Sequence, residues 1–312
     1  MPSAPRILTH LSPRLLEPVH AAHPEIEIVH VPIEGPLGDD VRGEILLTYT
    51  WGAPNLSEIL ARGVEWVHVY ETGVDGFPLD LLGHRRMTCS RGASATIISE
   101  WVIAVMLAAE KQLPETWIKE PVERWNMARL GTLQDKKLAL IGFGAIAQAI
   151  ARRAAPFEMR IEALRRTSML SPIEQVRIVT SLEELLADAD HVVVAAPETP
   201  ATKHLLDDSA FACMKPDAHL VNIARGGLVD QDALERALES GQVGLATLDC
   251  VTPEPLPAGH WLYAHPRVRL SPHISWSAPD SYAGLIETFI GNVGRYQRDE
   301  QLVSLVDPVA GY

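Results

Sequence analysis

The chain has 312 residues and a mass of 34.2 kDa, a length that suggests two domains at about 150 residues each. With 47% hydrophobic and 21% charged residues, the composition is that of a globular protein and excludes extensive disorder. Lysine plus arginine number 27 against 40 aspartate plus glutamate, and the net charge of −13 argues against general binding to nucleic acid or to anionic membranes.

The N-terminal stretch MPSAPRILTHL has no long apolar run, so no secretory signal is read there. RILTHL, IEIVHVP, EILLTYT and EWVHVYE are predicted strands, each followed by polar or Gly/Pro punctuation. LSEILARG is predicted as a helix and FPLDLLGH as a helical turn. Residues 94–113, SATIISEWVIAVMLAAEKQL, form one predicted helix, apolar on most faces and therefore buried, with Pro114 at its end. Its apolar run from Trp101 to Ala109 lies between Glu100 and Glu110 and is far too short to span a bilayer. An irregular stretch from Pro114 to Gly131 carries Trp117 and Trp125.

KKLALIGFGAIAQAIARRAA then reads as strand, glycine turn and helix, and MRIEALRR as a further strand. SLEELLADA is a predicted helix with Ser181 and Glu184 spaced as a capping box. HVVVAAP, AHLVNIA, VGLATLDC and VRLSPH are predicted strands, with helices DDSAFACM and QDALERALESG between them. This alternation implies a parallel, doubly wound sheet. SAPDSYAGLIETFIGNVGRYQRDE is a C-terminal helix that could return to the first domain, so the chain is expected to cross between domains near residues 94–113 and 275–290. Cys89, Cys213 and Cys250 are odd in number, far apart and outside any CxxC. They argue against a disulfide framework or a Cys-rich zinc site and for a reducing, cytoplasmic compartment.

Gly142, Gly144 and Ala147 form G-x-G-x-x-A between an apolar strand and an amphipathic helix, the context that makes this short motif informative. Gly142 permits the tight turn, Gly144 lets backbone approach a pyrophosphate, and Ala147 keeps helix and strand close. With Phe143, Ala145 and Ile146 they form a turn whose helix start offers free N–H groups to phosphates. An NAD enzyme usually places an acidic residue about 20 residues beyond this turn, on the ribose 2′-hydroxyl. Here the second strand ends in Leu164, Arg165, Arg166 and Thr167, with Glu162 nearby. Two guanidiniums suit a 2′-phosphate, so NADP(H) is the expected cofactor, with NAD(H) still possible.

In order and spacing, LALIGFGAIAQAI, MKPDAHLVNIARGGLVDQDAL, ATLDCVTPEPLP and HPRVRLSPHISW resemble the D-isomer-specific 2-hydroxyacid dehydrogenase family. Within it, the glyoxylate/hydroxypyruvate reductase branch is the nearest, partly through the terminal VDPVAGY. The resemblance spans residues 65–280 closely. It implies an α/β fold of two Rossmann-like domains with doubly wound parallel sheets. A dinucleotide-binding domain of residues 99–284 would be inserted in a smaller, flavodoxin-like substrate domain of residues 1–98 plus 285–312, with the pocket in a cleft between them.

The resemblance also implies a catalytic triad of Arg225, Glu254 and His273. The chemistry agrees: reducing a 2-oxo acid needs a cation for carboxylate and carbonyl, a proton donor for the developing alkoxide, and a group that keeps the donor oriented and charged. By the same resemblance, Gly73 and Val74 of ETGVDG would hold the substrate carboxylate, and Trp51 would wall the pocket. Ala196, Pro197 and Thr202 would lie beside the phosphates and adenosine. Ile223, Ala224 and Ser275 would lie along the cofactor, and Asp249 would bond the carboxamide. The expected substrate is a small 2-oxo or 2-hydroxy acid, the assembly a homodimer, and no metal is required because hydride passes from the nicotinamide.

Ala147, Ser99-Glu100, Glu110-Lys111 and Tyr263 depart from the family pattern and leave the substrate preference open. A dinucleotide-sensing corepressor-like protein of the same fold is the alternative, disfavoured by the lack of long disordered extensions and of a basic arm. Formate oxidation is disfavoured because relatives with that activity carry Gln where this chain has Glu254.

Overall fold

A computed structural model describes residues 4–166, 170–279 and 281–312. The chain separates into two compact units, Met1–Ser94 with Ala278–Tyr312, and Ala95–Ser277. Both boundaries fall just before a long helix, whereas 98/99 and 284/285 would each cut through one.

In the first unit the described elements run β1 (Ile7–Thr9), α1 (Pro13–Ala22), β2 (Ile28–His30), β3 (Ile45–Thr48), α2 (Leu56–Leu60), β4 (Trp66–Val69) and β5 (Arg86–Cys89). The five strands are all parallel in the order β2-β1-β3-β4-β5, the flavodoxin-like arrangement. β3 and β4 are covered on both faces, which is why their sequences, ILLT and WVHV, are largely apolar, and β5 is buried after Arg86. The C-terminal helix, Ser281–Gln297, belongs to this unit. Its Phe289 and Tyr296 rings pack 5.4 and 5.6 Å from that of fully buried Trp66, whose indole N–H donates to Thr88 Oγ1 over 2.8 Å.

The second unit contains α3 (Ala95–Glu110), β6 (Lys137–Ile141), α4 (Ala145–Ala154), β7 (Arg160–Leu164), β8 (Val176–Val179), α5 (Leu182–Leu186), β9 (His191–Val194), α6 (Asp208–Ala212), β10 (Ala218–Asn222), α7 (Gln231–Ser240), β11 (Val243–Leu248) and β12 (Val268–Leu270). Its seven strands are all parallel, ordered β12-β11-β10-β9-β6-β7-β8. Chain direction across the sheet reverses between β6 and β9. That is the switch point where doubly wound sheets open a crevice at their carboxyl ends.

α3 buries Ile98, Val102, Ile103 and Met106 in the core that also holds Ala147 and Ile150 of α4, as its all-round apolarity predicts. β5 and β8 lie outside the predicted strands; each has four residues and carries an arginine, Arg86 or Arg177. At α5 only half of the capping box forms. Ser181 Oγ accepts from the Glu184 N–H, while the Glu184 carboxylate turns to Arg177 at 2.7 Å.

A buried polar layer lies on β6, β9, β10 and β11. His191 Nδ1 is 3.1 Å from His219 Nδ1, and His219 Nε2 is 2.9 Å from Thr247 Oγ1. Glu110 at the end of α3 lies 3.1 Å from His191 Nε2 and 2.6 Å from Lys136 Nζ. This accounts for an acidic residue at that helix end. Among the described residues, no helix is long and apolar enough to cross a membrane.

Candidate active site

The turn after β6 is built for close approach. Gly142 has φ +92°, and a Cβ there would lie 2.8 Å from the Ala195 carbonyl and 2.9 Å from Ala196 Cα. Only glycine fits both the backbone and the space. Gly144 caps α4, and a Cβ on it would meet nothing within 4 Å. Gly144 and Ala145 are exposed, Ile146 is half-buried, and Phe143 and Ala147 point into the core. An exposed glycine at the start of a ten-residue helix, with open room before its N–H groups, fits a dinucleotide pyrophosphate. Gly142, Gly144, Ala145 and Ile146 are the residues that would hold it.

Arg165 and Arg166 follow β7, half-buried and exposed respectively, and the Arg165 N–H donates to the Val179 carbonyl over 3.3 Å. The Arg165 side chain makes no ion pair among the described residues. Glu162 does not neutralise it, because that carboxylate is taken by Lys137 at 2.9 Å and Arg177 at 2.7 Å. Thr167 lies outside the described residues. Ala196 and Pro197 begin the loop after β9, and Thr202 shapes it. The Thr202 hydroxyl donates to the Pro197 carbonyl and accepts from the Thr199 N–H, both at 2.8 Å.

Asn222, the last residue of β10 and 1% exposed, organises the next loop. Its Oδ1 accepts from the Ala224 N–H at 3.1 Å, and its Nδ2 donates to the Arg225 carbonyl at 2.9 Å. Ile223 and Ala224 are buried, and Arg225 is half-buried with a guanidinium N–H donated to the Ala224 carbonyl at 2.7 Å. Gly226 is required because a Cβ there would strike the Val251 backbone.

Asp249, one residue past β11, does the same for the loop after β12. One carboxylate oxygen accepts from the Ile274 N–H at 2.9 Å and the Ser271 hydroxyl at 2.5 Å. The other accepts from the N–H of buried Ser275 at 2.9 Å. Both oxygens of the residue expected at the carboxamide thus already serve protein donors.

Between Ser271 and Ile274, His273 sits at φ +54°, a left-handed conformation uncommon for a residue with a side chain. Its N–H donates to the carbonyls of Asp249 and Ser271, both at 3.0 Å, and its carbonyl accepts from the Trp276 indole at 2.8 Å. The backbone is over-determined, and the half-exposed imidazole presents Nδ1 to Glu254 Oε2 at 2.8 Å. The other Glu254 oxygen accepts from the Val251 N–H at 3.0 Å. An imidazole backed by a fixed carboxylate can hold a proton at one nitrogen and deliver it from the other.

In the first unit, Trp51, Gly73 and Val74 lie on the loops that follow β3 and β4. Trp51 is 60% exposed and stacks on Tyr49 at 4.6 Å. Val74 is buried, and the Thr50 hydroxyl joins the two loops by donating to the Gly73 carbonyl at 2.9 Å. The Thr50 N–H donates to Glu71 at 2.8 Å, and burial pushes the Glu71 carboxyl above its ordinary range.

Sequence reasoning missed Asn222, Thr50 and Glu71, and set Cys250 aside. The one available signal was a polar residue closing an apolar strand, as in AHLVN.

Residues 103–275 match the sequence model of a family described as D-isomer specific 2-hydroxyacid dehydrogenase, NAD binding domain. A glyoxylate reductase of Thermococcus gammatolerans is 34% identical over 224 residues, which are 69% of this chain and 66% of that protein, just under two thirds of its length. A glyoxylate/hydroxypyruvate reductase A of Yersinia enterocolitica is 28% identical over 84% of this chain and 86% of its own. Among solved structures, a D-isomer specific 2-hydroxyacid dehydrogenase from Xanthobacter autotrophicus Py2, in complex with NADPH and MES, superimposes with a TM-score of 0.83. It is 25% identical, and the likeness covers 99% of this chain and all of that one.

Proposed function

The chain belongs to the D-isomer-specific 2-hydroxyacid dehydrogenase family, and from that premise we propose that it reduces a small 2-oxo acid of the glyoxylate or hydroxypyruvate type to the D-2-hydroxy acid, with NADPH preferred. The observation that carries this reading is the 2.8 Å contact between His273 and Glu254 at the carboxyl ends of the seven-stranded sheet.

In this reading the Arg225 guanidinium binds the substrate carboxylate and draws electron density towards the carbonyl oxygen. Glu254 holds the Nδ1 proton of His273, which leaves Nε2–H to protonate the developing alkoxide. The bound dinucleotide supplies the hydride. Gly73 and Val74 would also hold the substrate carboxylate, through backbone N–H groups, and Trp51 would wall the pocket.

Support for NADPH comes from Arg165, which has no ion pair among the described residues, from the engagement of Glu162 elsewhere, and from the NADPH bound by the Xanthobacter relative. Support for a homodimer comes from the segment between α3 and β6. There Trp117, Ile118, Trp125 and Met127 are each more than half exposed, an apolar display that a monomer does not favour. No disulfide joins Cys89, Cys213 and Cys250, in keeping with a cytoplasmic setting. A panel of 2-oxo acids assayed with NADH and NADPH tests the proposal. Selective NADPH oxidation with glyoxylate or hydroxypyruvate is expected, and turnover of neither refutes it.

A further inference from the structure

Cys250 follows Asp249 just past β11 and is 1% exposed, whereas the neighbouring pair Glu254 and His273 is partly open to solvent. One donor atom from each of the three residues, a sulfur, a carboxylate oxygen and an imidazole nitrogen, lies within 4.8 Å of the other two. We propose that Cys250, Glu254 and His273 form a binding site for a zinc-type divalent cation, and that its occupation switches the reductase off. The blocking role rests on the function proposed above; the binding does not.

The donor set selects the metal. Thiolate and imidazole suit zinc and cobalt, whereas magnesium and calcium need several oxygens, and this site has a single carboxylate. Three protein ligands leave a fourth position for water, as in open zinc sites. Metal–ligand bonds of about 2.0–2.3 Å require donors roughly 3.3–3.8 Å apart, so with all three inside 4.8 Å and the His273–Glu254 contact at 2.8 Å, shifts of about 1 Å suffice to admit the ion. Two of them are on a side already open to solvent, which gives the ion an entry path.

On binding, the thiol and the coordinating imidazole nitrogen each give up to solvent any proton they carry, and sulfur and nitrogen bond the cation with no change in oxidation state. The ion consumes the lone pair of one imidazole nitrogen and takes the carboxylate away from the other partner. The pair that would deliver a proton to substrate is thereby disabled. An apolar residue at position 250 would leave the His273–Glu254 pair without this liability, so the sensitivity is a property of the cysteine.

The test uses the full-length protein and cobalt(II) as a spectroscopic stand-in, with zinc for activity. One equivalent of cobalt should bind and show thiolate-to-cobalt charge transfer in the near ultraviolet. Zinc should inhibit with the same stoichiometry, and chelator should restore the rate. Cys250→Val should abolish the charge-transfer band and raise the zinc inhibition constant at least about tenfold, while metal-free turnover stays within about twofold. Should the valine variant not fold, Cys250→Ser serves in its place and should lose the band as well. Wild-type protein that binds no cobalt, or binds it without the thiolate band, overturns the site. A band with undiminished reductase activity overturns the blocking role. Should no 2-oxo acid be reduced at all, the cobalt spectrum still decides whether the site exists.

Discussion

The backbone N–H of Asp249 donates to the backbone carbonyl of Asn222 over 2.9 Å. This backbone bond joins two residues whose buried side chains have parallel tasks at the ends of neighbouring strands. Asn222 ties down the loop of Arg225, and Asp249 ties down the loop of His273. The two charged groups proposed to meet the substrate therefore stand on supports that are themselves bonded.

Asp249→Asn replaces a carboxylate that accepts two backbone N–H groups with an amide that can accept at one end only. Each charge-assisted bond is worth about 1.5–3 kcal/mol, so looser seating of His273 should lower kcat by about 10- to 100-fold. Fluorescence titration should find the NADPH dissociation constant changed by no more than a few fold. A large loss of NADPH affinity with kcat preserved would assign Asp249 to the carboxamide instead.

Arg165→Ala combined with Arg166→Ala should erode kcat/KM for NADPH by at least about 100-fold, as expected for two lost charge-assisted bonds. The value for NADH should change only a few fold. Equal losses with both cofactors would remove these arginines from 2′-phosphate recognition.

The glycine turn was legible because strand, turn and helix are contiguous in sequence, and Gly142 is confined by both φ and the approach of Ala195. The strands β5 and β8 were not, since four residues with a charged one among them carry little periodicity. His273 and Glu254 stand 19 positions apart and were paired by family resemblance alone. Asn222 and Asp249 escaped notice as supports because their work depends on which strands are neighbours. Strand order is a property of the sheet, not of any one segment. Glu110 looked like an oddity at a helix end until His191 and Lys136 supplied its partners.

Acid should destabilise both units. Burial pushes the His68 imidazole down to about 3 and holds His219 well below its ordinary range. Both are neutral when folded and take up a proton when unfolded below about pH 6.5. The unfolded state then binds more protons, so this stability is complete above about pH 6.5 and declines as pH falls towards the folded values. The slope is up to about 1.4 kcal/mol per pH unit per group. Urea midpoints measured from neutral to mildly acidic pH should fall, and His219→Gln should flatten the decline. A variant that keeps the wild-type slope would clear His219 of this role.

Trp117→Ser with Trp125→Ser should convert a homodimer to monomer in size-exclusion chromatography with light scattering, since aromatic anchors carry much of an interface's energy. Unchanged dimer mass, or a monomeric wild type, would mean that this segment holds no partner copy.

Glu254→Gln keeps the shape of the side chain and removes its charge. The imidazole loses its carboxylate partner 2.8 Å away, so the ring is no longer held in the delivering orientation and kcat should fall by about 100-fold or more. A rate that matches wild type would uncouple the two residues.

The central claim is tested most directly by mixing wild-type protein and His273→Ala, each with NADPH and glyoxylate or hydroxypyruvate, and following cofactor oxidation together with the D-2-hydroxy acid formed. Wild-type protein should consume NADPH and release hydroxy acid in equal amounts. His273→Ala should bind NADPH as tightly and do neither at any pH, because its proton donor is gone. Wild-type protein that binds NADPH firmly but turns over neither 2-oxo acid would contradict the account and point to a dinucleotide sensor.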